Sequence, residues 1–175
     1  MSNWQADYRW SALFDRQVKM AIGPHVIGNA TTEDDQDRAT DLVLATDRVR
    51  IACRIRRWTK QACDKWGDQF TIRTQRASGA KTELAKILDG WGDMLFYGWG
   101  CPQSVRLREW HLIDLEVFRS WYLEAVSRGR TVRAANVLNR DGSGGDAFWI
   151  EHLPAGGVIA SGVGLQLRDD SLVNA

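Results

Sequence analysis

The segment that most constrains the fold of this chain is residues 41–56, whose pattern predicts two β-strands joined by a tight turn. Residues 41–45 are an apolar run suited to a buried strand, and Thr46-Asp47 supplies the turn. The run that follows, residues 49–58, alternates between two faces, with Val49, Ile51, Cys53 and Ile55 on one and Arg50, Arg54 and Arg56 on the other. We therefore expect Cys53 to be a small buried hydrophobe on the apolar face of the second strand.

Periodic apolar positions elsewhere predict further helices and strands. Helices are predicted over residues 6–22, 81–95 and 117–128, and strands over 70–76, 93–99, 110–115 and 148–150. Gly23-Pro24 is expected to end the first helix, and Thr82 to be the N-cap of the second. The order of elements predicts an α/β fold in a single domain, with a mixed central β-sheet flanked by helices.

The length of 175 residues suits one domain, or one domain with a short appendage. We expect residues 1–130 to form the α/β core. Residues 131–175 are richer in glycine, and they are expected to form a C-terminal extension packed on that core. The last dozen residues are predicted to be frayed or to lie at a sheet edge.

The cysteines and the hydropathy pattern bear on the compartment. The chain has three cysteines and no Cys-x-x-Cys pair, which argues against a disulfide framework or a zinc knuckle and fits a reducing cytoplasm. No run of 18 apolar residues is present, so no membrane span is expected. The first residues also lack the apolar core of a signal peptide.

Charge is strongly segregated along the chain, although the formal net charge is only +1. Residues 48–86 contain 11 basic and 3 acidic side chains, a net of +8, whereas residues 1–47 carry a net of −4 and residues 87–175 a net of −3. A basic block of this size is typical of a surface that binds phosphates. The alternative is a solvated, basic sheet edge, because charged edges prevent aggregation.

The chain is also rich in tryptophan, with nine residues scattered along its length. Most of them are expected to anchor a core or an interface. A minority could stack on nucleic-acid bases.

The hairpin carries the residues of a known pattern. Asp41 opens its first strand, and Ala52-Cys53-Arg54 lies on its second. With the order of elements, these positions resemble the PD-(D/E)XK nuclease superfamily, and within it the archaeal Holliday-junction resolvases, over residues 8–118. The resemblance implies a restriction-endonuclease-like sheet, with Asp41 as the aspartate of the motif and Asp15 as the acid of the first helix. It also implies DNA rather than RNA as the partner, a homodimer as one option, and an origin in a phage or mobile element.

This sequence departs from the pattern at the catalytic strand. Asp41 follows Thr40 rather than proline, Ala52 stands where the second carboxylate is expected, and Arg54 stands where the lysine is expected. Mg²⁺ needs several oxygen ligands, so the loss of one carboxylate weakens a site. Arginine stays protonated and cannot act as a base, although it can bind a phosphate through two parallel hydrogen bonds. We therefore expect ordinary metal-dependent cleavage from this strand to be lost.

A second acid could instead come from the neighbouring helix. Glu83 is predicted in its first turn, with Lys86 three residues later on roughly the same face. Asp41 and Glu83 would then hold Mg²⁺ or Mn²⁺, and Asp41, Glu83 and Lys86 would form a catalytic set. The alternative is that Glu83 stabilises the positive end of the helix dipole and pairs with Lys86 or Lys81.

Three functions from different classes remain open. The first is a pseudo-enzyme that binds nucleic acid through a basic surface formed by Arg54, Arg56, Arg73, Arg76 and Lys81. The second is a divergent endonuclease that depends on Mg²⁺ or Mn²⁺ and uses Asp41 and Glu83. The third is a protein-binding or inhibitory module that uses the tryptophan-rich surface to contact a protein partner.

Overall fold

The computed structural model of the chain describes residues 4–23, 26–29, 42–44, 49–59, 68–101, 103, 106–139 and 141–165. Its helices are α1 (Trp4–Ala12), α2 (Asp15–Ile22), α3 (Glu83–Leu88) and α4 (Leu115–Ser127), followed by a 3-10 turn at Ile150–His152. Its strands are β1 (Val26–Asn29), β2 (Leu42–Leu44), β3 (Arg50–Arg57), β4 (Gln69–Gln75), β5 (Met94–Cys101), β6 (Arg106–Asp114), β7 (Ala135–Leu138), β8 (Gly144–Trp149) and β9 (Val158–Leu165). In the described part of the chain, every helix is too short or too polar to cross a membrane.

Six strands form the large sheet, in the order β1-β2-β3-β5-β6-β9. β3 and β5 run parallel, with Ile51 opposite Met94 and Arg57 opposite Gly100, and the other neighbours are antiparallel. The prediction of a mixed sheet in an α/β fold is thus confirmed. A parallel pair needs a crossover from one end of the sheet to the other. Here the crossover contains β4 and α3.

The two strands of the predicted hairpin are present and pair antiparallel, with Leu42 opposite Ile51. Asp41 and the predicted turn lie outside the described residues. In β3, Ile51 and Ile55 are buried on one face, and Cys53 packs against the same group, on the predicted face, although it is half-buried rather than buried.

The prediction of a single central sheet is wrong for β4, which belongs to a separate small sheet of order β4-β8-β7. Aromatic packing accounts for this difference. Phe70 of β4 stacks on Phe148 of β8 at 5.4 Å between ring centroids, and Phe118 of α4 meets Phe148 edge-on at 5.1 Å. β7, β8 and β9 all come from the glycine-rich segment. β7 and β8 belong to the small sheet, where β8 pairs with β4, and β9 belongs to the large sheet, where it pairs with β6.

The large sheet is covered on both faces. One face meets α3, α4 and the small sheet in a cluster that we call the aromatic core, which includes Phe70, Ile72, Ile87, Leu95, Tyr97, Ile113, Phe118 and Phe148. The other face meets α1 and α2 in the helical core, which includes Trp10, Phe14, Val18, Ile51, Ile55, Phe96, Leu107 and Leu112. Side chains on one face of β3 therefore contact the aromatic core, and those on its other face contact the helical core.

Two predicted helices are shorter than expected. The helix predicted over residues 6–22 breaks at Leu13 and Phe14, where Phe14 is fully buried against Gly100 of β5. The helix predicted over residues 81–95 ends at Leu88, because Gly90 adopts a positive φ that ends a helix, and Gly92 adopts another two residues later. Its predicted N-cap is confirmed, since Thr82 Oγ1 accepts a hydrogen bond from the Ala85 N–H at 3.2 Å.

A buried amide links α2 to β6. The ladder between β5 and β6 shifts register between Trp99 and Gly100, opposite the start of β6. There the Leu107 N–H donates to Gln17 Oε1 at 2.6 Å, and Gln17 is 1% exposed. A bulge leaves a backbone group without its ladder partner, and here a side chain satisfies it.

Arg50 and Asp93 join the starts of the two parallel strands. Asp93 Oδ2 accepts hydrogen bonds from the Arg50 backbone N–H at 2.7 Å and from Arg50 Nε at 3.1 Å, and the Asp93 N–H donates to the Arg50 carbonyl at 3.0 Å. Burial raises the pKa of Asp93, but the hydrogen bonds and charge of Arg50 outweigh it, so the pKa lies below its ordinary value.

This contact predicts a stability difference that depends on pH. A carboxyl whose pKa is lower in the folded state stabilises the fold above its unfolded pKa of about 3.9, and loses that contribution as the pH falls through its folded pKa. Asp93→Asn should therefore be less stable than the wild type near pH 7, by about 1 kcal/mol or less because both side chains are partly exposed. Urea unfolding should show the difference shrinking below about pH 4. A difference that stays constant down to pH 2 would contradict this assignment.

Candidate functional site

Arg54 lies on the face of β3 that meets the crossover. Its Nη1 donates to the Thr71 carbonyl of β4 at 2.9 Å, and its Nη2 donates to Glu83 Oε2 of α3. The side chains of Arg54 and Glu83 are only 22% and 12% exposed. One guanidinium therefore ties the large sheet to both β4 and α3.

Glu83 is held in place by the start of its helix. It lies in the first turn of α3, directly after the Thr82 N-cap. Its Oε2 also accepts a hydrogen bond from the Arg73 backbone N–H at 2.9 Å. The partners of Glu83 are thus Arg54 and Arg73. Lys81, one of the two lysines that the alternative interpretation paired with Glu83, forms an ion pair with Asp89 instead.

Arg54, Arg73 and Arg76 form what we call the arginine cluster. Burial lowers the pKa of Arg73, and the charges of Arg54 and Arg76 lower it further, while Glu83 and Asp141 oppose them. Arg76 Nε is buried and has no hydrogen-bond partner among the described residues. Three positive groups thus lie within electrostatic reach of one another, and one donor has no acceptor.

The remaining predicted site residues are not all at this surface. Arg56 is exposed two positions beyond Arg54, and so it shares the face of the strand that carries Arg54. Lys86 is buried, at 4% exposure. Asp15 lies on α2, which covers the face of the large sheet opposite to the one covered by α3.

The described residues do not by themselves make up a magnesium site. They contain no group of three or more His, Cys, Asp or Glu side chains that could hold a metal ion. Ala52, at the position of the expected carboxylate, is a buried member of the aromatic core. Glu83 faces the guanidinium of Arg54, which occupies the place beside the carboxylate where a metal ion would have to bind. Asp41, the other predicted ligand, lies outside the described residues.

Sequence reasoning missed a second basic surface, formed by Trp58, Arg106 and Arg108 together with Arg56, which we call the basic rim. The guanidinium carbon of Arg108 lies 4.0 Å from the centroid of the Trp58 ring. The signal in the sequence is the pair of arginines at alternate positions of a strand, 106 and 108, on either side of the buried Leu107.

Both surfaces suit an anionic partner more than a metal ion. Guanidinium groups present several N–H donors in one plane, which matches the oxygens of a phosphate or carboxylate. No protein-family model matches this sequence, and no match to it is found among curated proteins. The chemistry of these side chains is therefore the basis on which a function can be assigned.

The contact between Arg54 and Glu83 predicts coupled stability effects. Arg54→Met and Glu83→Gln should each lower the free energy of unfolding by about 1–3 kcal/mol, because each leaves a largely buried charged partner unsatisfied. The double variant should lose less than the sum of the two single variants. Urea unfolding of the wild type, the two single variants and the double variant measures the difference between the double loss and the sum of the single losses, which is the coupling energy of the pair.

The exposed pair of Lys81 and Asp89 provides the control for that cycle. Lys81→Met and Asp89→Asn should show a coupling energy of about 1 kcal/mol or less, since both side chains are half exposed. Equal coupling energies for the two pairs would contradict a structural role for Arg54.

Proposed function

We propose that this protein binds nucleic acid, DNA in preference to RNA, through the arginine cluster and the neighbouring Arg56. The proposal includes a nuclease-like fold of the PD-(D/E)XK type that retains binding and has lost strand-borne cleavage. The net charge of +8 over residues 48–86 supports it, because phosphate binding depends on concentrated positive charge. DNA is preferred on the ground of the resemblance to DNA-processing nucleases.

The observation that carries the proposal is the excess of donors in the arginine cluster. Glu83 is the only carboxylate bonded to the cluster among the described residues, and it accepts from Arg54 and from the Arg73 backbone rather than from the side chains of Arg73 or Arg76. A buried donor without an acceptor, such as Arg76 Nε, costs about 1–3 kcal/mol. A phosphate bound at the cluster would accept hydrogen bonds from its guanidiniums and would relieve the repulsion among them.

The loss of cleavage is supported by the surroundings of the catalytic-strand positions. Ala52 provides no metal ligand, and Arg54 is already bonded to Glu83. The endonuclease alternative, with Asp41 and Glu83 holding Mg²⁺ or Mn²⁺, would require Glu83 to exchange Arg54 for a cation. The module that contacts a protein partner remains the alternative if nucleic acid does not bind.

Binding by variants of the full chain tests this proposal. Fluorescence anisotropy with labelled single-stranded, duplex and four-way-junction DNA, in EDTA, would give each affinity across a salt series. Arg73→Ala/Arg76→Ala should weaken binding to every DNA by about tenfold or more, and should reduce the log–log salt slope by about 2, because two phosphate contacts are lost. Arg128→Ala/Arg130→Ala removes the same charge from an exposed site after α4 and is the matched control.

The outcomes separate the three functions. A folded double variant with wild-type affinity would overturn the role of the arginine cluster. Cleavage in Mn²⁺ that is abolished by Glu83→Gln would establish the endonuclease instead. If the protein binds neither DNA nor RNA, the result would favour the third function, a module that binds a protein partner.

A further inference from the structure

The basic rim lies at the end of the large sheet where β3 and β5 finish and β6 begins. Arg56 is opposite Trp99, and Arg106 is opposite Cys101. The chain leaves β3 with a hydrogen bond from the Trp58 N–H to the Gly100 carbonyl, at 2.7 Å. The three strands therefore bring the side chains of this rim to one end of the sheet.

Arg108 is held against an aromatic ring that is itself fixed. A distance of 4.0 Å between its guanidinium carbon and the Trp58 centroid is a van der Waals contact, which leaves no space for a group between them. Trp58 packs against the aromatic core, so the ring has little freedom to move. Arg108 itself is exposed, so its guanidinium lies at the protein surface while one of its faces rests on Trp58.

The rim carries positive charge that the described residues do not neutralise. Within the described ranges, Arg56, Arg106 and Arg108 have no carboxylate in ion-pair contact. Glu109, the acid next to Arg108, lies 3.3 Å from His111 Nε2. A planar cation spread on an indole, with two further guanidiniums nearby, combines the two features that bind single-stranded nucleic acid, a stacking surface and a positive groove.

We propose that Arg108, stacked on Trp58, is the stacking site for one unpaired base, and that Arg56 and Arg106 hold the phosphates on either side of it. This inference rests on the proposed function and adds a substrate class to it, nucleic acid with a single-stranded segment. Bases inside a duplex already stack on their neighbours, so their faces are closed to a protein side chain. A stacking site therefore distinguishes unpaired from paired nucleotides, which phosphate contacts alone do not.

Substitution of Arg108 by lysine separates stacking from charge. Arg108→Lys keeps the positive charge but removes the planar face. It should weaken binding of single-stranded DNA by about tenfold, a typical loss for one stacked base, and should change the affinity for a duplex of the same sequence by less than about twofold. The salt slope should stay the same, because the number of phosphate contacts does not change.

An oligonucleotide with abasic sites gives a second readout, because it keeps its phosphates and lacks base faces. The wild type should bind it about as weakly as Arg108→Lys binds the intact strand. Arg108→Lys should not discriminate between the two oligonucleotides. Arg128→Lys, on the surface beyond α4, is the matched control and should behave as the wild type.

Each outcome supports or overturns the stacking site. Equal losses for single strand and duplex would show a phosphate contact and overturn it. Unchanged binding by Arg108→Lys, with weakened binding by Arg73→Ala/Arg76→Ala, would also overturn it and would leave the proposed function standing. A wild type that binds no nucleic acid would overturn both.

Discussion

The parallel pairing of β3 with β5 is the constraint on which the rest of the molecule depends. Two parallel neighbours require the chain to return across the sheet, and this chain returns through β4 and α3. The crossover lies on the face that carries Arg54, which is why Arg54 meets Thr71 and Glu83. It also leaves the other face to α1 and α2, which fill it with Trp10, Phe14 and Val18.

The electrostatics of the candidate site follow from that arrangement. In a metal-dependent nuclease, a bound metal ion supplies the positive charge at the scissile phosphate. Here Glu83 faces Arg54, so the positive charge beside this carboxylate belongs to the chain itself. A guanidinium does not activate water, but it donates several hydrogen bonds to anionic oxygens. The arginine cluster is therefore better suited to hold a phosphate than to break its ester bond.

The parts of the fold that were predictable are those determined by near neighbours in the sequence. The alternation of β3 and the Thr82 cap depend on residues within a few positions, and both were predicted. The break at Phe14 depends on Gly100, and the departure of β4 to a second sheet depends on β8, so neither could be recognised locally. Arg54 and Glu83 were both singled out, but their contact spans 29 residues, and each was expected to have a different partner.

The hydrogen bond between Gln17 and the Leu107 N–H has a consequence for observing the basic rim. Leu107 lies between Arg106 and Arg108, yet its amide is bonded to a buried side chain from the opposite face of the sheet. Its proton is shielded from water, and its chemical shift depends on the geometry of a single acceptor. The Leu107 amide is thus a built-in NMR reporter, able to register a ligand on the rim from a position that the ligand does not touch.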